Sequence, residues 1–104
     1  MAAHGSTLHR VGDVTPPMYL HTEIGGAAAK LYTTLKANGG SVVLEHLSNE
    51  PVSTEVGSWT ADVTYSTDQT RTQRSGTAGF MYRLRCSVVP TNGKSMDALL
   101  EMGV

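Results

Sequence analysis

The feature that most constrains this chain is a strict two-residue alternation running through its second half. From Ser58 to Ser66, the residues Trp59, Ala61, Val63 and Tyr65 alternate with Ser58, Thr60, Asp62, Thr64 and Ser66. From Phe80 to Val89 the pattern returns, with Phe80, Tyr82, Leu84, Cys86 and Val88 opposite Met81, Arg83, Arg85, Ser87 and Val89. Successive side chains of a strand point to opposite faces, so each run predicts a half-buried strand with one apolar and one polar side. Two such runs in succession predict a hairpin, with its connection Thr67–Gly79 either looped or extended around a turn at Ser75-Gly76.

The first half reads differently. Residues 1–17 are rich in Gly, Ser, Thr and His and end in Pro16-Pro17, which predicts an extended arm. Met18 to His21 can form a short strand, after which Thr22 offers a cap and Glu23 a favourable charge for a helix. Ile24, Ala28, Leu31, Tyr32 and Leu35 fall on one helical stripe, and Asn38-Gly39-Gly40 supplies a stop. Ser41 to Leu47 reads as a strand closed by a turn at Ser48-Asn49-Glu50-Pro51. Beyond Pro90, Ser95 can cap a short helix with Met96, Leu99 and Leu100 on one face.

The expected architecture is therefore α+β: a small antiparallel meander of three to four strands, with one main helix and a short C-terminal helix packed on one face. An arm over 1–17 precedes a single domain over 18–104, a size that allows one core. So small a core gains from self-association, and an oligomer is expected on that ground.

Charge is distributed unevenly. Between Thr70 and Met96 lie Arg71, Arg74, Arg83, Arg85 and Lys94 with no acid, while the rest of the chain carries three basic and nine acidic residues. The formal net charge of −1 hides this polarity. Arginines at a hairpin tip and on its open face, interleaved with hydroxyls, suit phosphate contacts, which makes Arg71, Arg74, Arg83, Arg85, Thr60, Thr64 and Thr72 the candidate surface for nucleic acid or another partner. Base stacking is not expected, because Trp59, Tyr65, Phe80 and Tyr82 fall on the apolar side. The structural alternative pairs Arg85 and Arg83 with Asp62 and Asp68 across the strands.

Other chemistry has less support. His4, His9, His21 and His46 lack the compact spacing of a metal site, so neither metal nor cofactor is expected. Cys86 falls among Leu84 and Val88, the setting of an inert core thiol rather than a nucleophile. Gly25-Gly26 matches neither phosphate-loop spacing, and a single cysteine allows no internal disulfide. With no signal-like start and no long apolar run, an intracellular or cytoplasmic protein is expected, with no membrane partner. The sequence thus points to a non-enzymatic binding or assembly module contacting nucleic acid, protein or its own copy, as viral or phage-type structural and accessory proteins do. The alternatives are a small enzyme with an intersubunit pocket around His46, Glu45 or Tyr82, and a protein-directed inhibitor or adaptor.

Overall fold

The computed structural model describes residues 2–20, 30–47, 59–77 and 79–103. Within them the chain forms eight strands and no helix: β1 (Ala2–Leu8), β2 (Met18–Tyr19), β3 (Lys30–Lys36), β4 (Ser41–Leu47), β5 (Thr60–Tyr65), β6 (Gln69–Ser75), β7 (Met81–Val88) and β8 (Met96–Gly103). They build two four-stranded antiparallel sheets, ordered β1-β8-β3-β6 and β2-β7-β4-β5. The partners nest from the outside inward: β1 with β8, β2 with β7, β3 with β6, β4 with β5. A chain doubled into one long hairpin and then rolled up gives this order, which is the jelly-roll sandwich.

The all-β architecture overturns the α+β expectation. The stripe assigned to the main helix contains β3, while its first residues, with Thr22, Glu23 and Gly25-Gly26, fall outside the described residues, as does the turn at Ser48–Pro51. Leu31 and Leu35 are four apart, a separation shared by the helical and strand periods; the intervening inward residue is Thr33, whose polarity hides the alternation. The C-terminal helix is likewise a strand. Met96, Ala98, Leu100 and Met102 turn inward, and tertiary pairing overrides the helix propensity of Met, Ala, Leu and Glu. Asn38-Gly39, expected as a helix stop, is instead a tight turn carrying the chain from one sheet to the other: both residues have positive φ (48° and 87°), and Gly40 N donates to Ala37 O at 2.9 Å.

The meander is also replaced. β5 and β7 do not pair; β4 lies between them, and β6 crosses to the opposite sheet beside β3. The Ala2–Leu8 part of the expected arm forms β1, in register with β8 along its whole length.

Alternate side chains from both sheets fill the interior: Leu31, Leu35, Met96, Leu100 and Met102 on one side meet Met18, Val42, Leu44, Leu84 and Cys86 on the other. Face-to-face packing of this kind buries one face of each sheet and leaves the other for contacts. Thr15 lies fully buried at the edge, where its hydroxyl accepts from Leu84 N at 2.9 Å. Thr33 is different: its buried Oγ1 has no hydrogen-bond partner among the described residues. Replacing an unsatisfied buried hydroxyl by a methyl of similar shape removes a desolvation penalty. Thr33→Val is therefore expected to raise unfolding free energy by about 1–2 kcal/mol in urea titration; a loss of stability would contradict the burial of that atom.

Candidate functional site

The arginines grouped by sequence are divided between the two sheets. Arg83 and Arg85 project from the outer face of β7, and both point to Glu45 on β4: Arg83 Nε donates to Oε1 at 2.8 Å and Arg85 Nε to Oε2 at 3.0 Å. Glu45 is only 4% exposed, so one buried carboxylate holds both guanidinium groups. Trp59 completes the cluster, with Arg83 Cζ 4.0 Å from its ring centre.

A bulge makes this arrangement possible. β4 and β5 slip register between Leu44, which faces Val63, and Glu45, which faces Ala61. Asp62 is the extra residue, and the alternation is interrupted there. Val63 and Tyr65 pack against or within the core, but Ala61 is exposed and Trp59 lies over outward-facing Arg83, contrary to the single apolar side expected for these residues. Asp62 itself turns to His46, with both carboxylate oxygens 2.8 Å from Nδ1. Phe80 stacks on the same imidazole at a centroid distance of 5.2 Å. The dyad fixes the ring's orientation, as a general base would require, but among the described residues no nucleophilic side chain is recorded against the remaining nitrogen.

Asp68 also departs from the expected pairing. It accepts from Ala37 N at 2.8 Å and lies 3.5 Å from Lys36 Nζ. The backbone donor, followed by the Lys36 charge, holds its carboxyl below the ordinary 3.8 despite the opposing effect of desolvation.

On the other sheet, Arg71 stands on β6 with a left-handed φ of 43°, where the β3–β6 register shifts. Its Nε donates to Glu101 Oε1 at 3.3 Å, and its guanidinium carbon sits 4.5 Å from the centre of the Tyr32 ring. Arg74 is exposed and makes no ion pair among the described residues. Thr72 gives its hydroxyl proton to Gln69 Oε1 at 2.6 Å; Thr60 and Thr64 are exposed on β5, in the opposite sheet. The seven residues therefore do not share one face. Cys86 is fully buried, and burial raises its thiol pKa; the Asp13 charge adds to the rise and the Arg85 charge opposes it.

A further concavity was not indicated by the charge pattern. It is an open groove of about 610 Å³ on the outer face of β1-β8-β3-β6. Gly5, Leu99 and Thr34 line its middle; Lys36, Asp68 and Asp97 add both charge signs at one end. Registry explains the juxtaposition, because Gly5 faces Leu99 and Leu99 faces Thr34 across three strands, and glycine leaves the surface low. Beside this row, Tyr32 is the cross-strand neighbour of Glu101, bringing the Arg71 cluster next to the groove. A period-2 assignment of β3 and β8 puts Thr34 and Leu99 on outward faces, but the pairing of β1, β8 and β3 is what makes them neighbours of Gly5.

The buried carboxylate yields an asymmetric mutational prediction. Glu45→Gln should cost about 1–3 kcal/mol, since the partly exposed arginines can turn to water. Arg83→Met with Arg85→Met should cost more, about 3–5 kcal/mol, because it strands a buried charge; chemical denaturation measures both, and the reverse order would contradict the cluster's burial pattern. For Asp68, the lowered folded-state pKa means that its stabilising contribution is present above pH 3.8 and is lost as pH falls through the folded value. Asp68→Asn should flatten the stability–pH curve below 3.8; an unchanged slope there would remove that contribution.

Comparison with protein-family models, curated proteins and solved structures gives no match.

Proposed function

We propose that this chain is a non-enzymatic binding or assembly module that engages another polypeptide through the outer face of β1-β8-β3-β6. Topology does not choose this function, since the jelly roll hosts many. The supporting observation is the groove: an apolar centre of Gly5 and Leu99, flanked by carboxylates, ammonium and hydroxyl groups of both polarities. Such a mixture suits a peptide, which offers apolar side chains, backbone donors and backbone acceptors together.

Phosphate binding fits this face less well. Arg71 is engaged with Glu101, and Arg83 and Arg85 share Glu45 on the opposite sheet, so the arginines do not form one continuous basic stripe. Arg74 is the arginine best placed for an added phosphate contact, but one such contact gives little of the charge on which nucleic-acid affinity depends.

A displayed peptide library and a set of single-stranded oligonucleotides separate the two cases. Selected peptides are expected to shift the amide resonances of Gly5, Thr34 and Leu99, and Thr34→Arg should reduce their affinity at least tenfold, equivalent to about 1.4 kcal/mol. Oligonucleotide binding with a steep salt dependence that Arg71→Ala and Arg74→Ala abolish, without peptide binding in the groove, would overturn the proposal.

A further inference from the structure

We infer that the outer edge of β1 is a self-pairing surface, through which two copies join antiparallel about a two-fold axis near Gly5 into one continuous eight-stranded sheet. The inference goes beyond the peptide-binding proposal and does not require it, because it concerns the sheet edge rather than the groove. An edge strand offers unpaired backbone donors and acceptors that can template another strand, and proteins ordinarily obstruct such edges.

Among the described strands, four edges bound the sandwich, and three carry obstructions. β2 is two residues long and follows Pro16-Pro17, which lack amide donors. β5 has the Asp62 bulge. β6 has the left-handed Arg71, a register shift and a second exposed cation at Arg74. These are the familiar devices against edge-to-edge pairing: short length, proline, bulges and charge.

β1 has none of them. It runs seven residues, Ala2–Leu8, without proline, Lys, Arg, Asp or Glu, and its pairing with β8 is continuous from Ala2–Met102 to Leu8–Met96. It ends the strand order of its sheet, with Gly5 and Thr7 exposed. The obstructions elsewhere select the occupant: among the described strands, the edge able to receive β1 is β1 of a second copy. Gly5 is the middle residue of the strand. A two-fold at Gly5 sets Ala2 opposite Leu8, Ala3 opposite Thr7 and His4 opposite Ser6, so no Lys, Arg, Asp or Glu meets its like across the junction. The resulting order, β6-β3-β8-β1-β1-β8-β3-β6, removes both vulnerable edges and leaves the arginine-bearing β6 strands at the ends. It also sets the two grooves side by side, since each is lined by Gly5, Ser6 and Thr7 of β1.

Sedimentation of the full chain and disulfide trapping test this directly. The expected species has twice the 11.1 kDa mass of one chain, and its β1 amides become more protected from hydrogen exchange as concentration rises. Oxidised Gly5→Cys should give a covalent dimer, because the two substituted positions face each other at the axis while Cys86 is buried. A Cβ at position 5 meets the flexible end of Leu99 at 3.1 Å and the backbone Ala98 O at 3.2 Å, so both the Leu99 side chain and the Ala98 carbonyl must give slightly. Thr60→Cys, on the obstructed β5 edge, should remain uncrosslinked. A wild-type monomer up to the solubility limit, or a dimer whose β1 amides exchange independently of concentration, would overturn the inference.

Discussion

The structure depends on burial of alternate side chains between two sheets whose strands come from distant parts of the sequence. Leu31, Leu100 and Met102 from one sheet and Val42, Leu44 and Leu84 from the other can be removed from water together only if β1 finds β8 and β3 finds both β6 and β8. Each pairing fixes which residues face outward, because a one-residue slip would exchange the two sides. The groove and the arginine–carboxylate cluster are consequences of that registry. Gly5, Leu99 and Thr34 become neighbours across three strands, while the β4–β5 bulge brings Ala61 opposite Glu45 and releases Asp62 toward His46.

Electrostatics follows packing here. A run of five basic residues without an acid looks like a single binding surface in the sequence, yet the fold distributes it. Glu45 is distant from Arg83 and Arg85 along the chain but neighbours them in space, because β4 lies beside β7. Its near-complete burial makes two-sided neutralisation by partly exposed arginines the least costly arrangement. Arg71 finds its carboxylate in the same way, from β8 across the opposite sheet. The charge run therefore gives each sheet an outer-face ion pair and leaves Arg74 and Lys94, both exposed, outside the ion pairs of the described residues.

Local signals are legible where the two faces of a strand differ in polarity or where an apolar, β-branched run marks a strand. β4 has the bounds expected from its apolar run, and β5 and β7 lie within their alternating segments. The strand assignment was obscured where chemistry and position disagree: inward Thr33 interrupts the apolar row of β3, and the helix-forming composition of β8 masks Met96, Ala98, Leu100 and Met102. Partner choice was less legible still. Alternation says which residues of β5 share a face, but it does not place β4 between β5 and β7, nor does it reveal the bulge that turns Ala61 outward. The same limitation applied to the groove, whose middle is assembled from β1, β3 and β8.

Cross-strand nuclear Overhauser contacts test the central registry most directly. Close backbone contacts are expected between Leu31 and Met102, Thr33 and Leu100, and Leu35 and Ala98, as required by the antiparallel pairing of β3 and β8. Sequential helical contacts across residues 30–36 or 96–103, with those cross-strand contacts missing, would contradict the sandwich and every surface built on it.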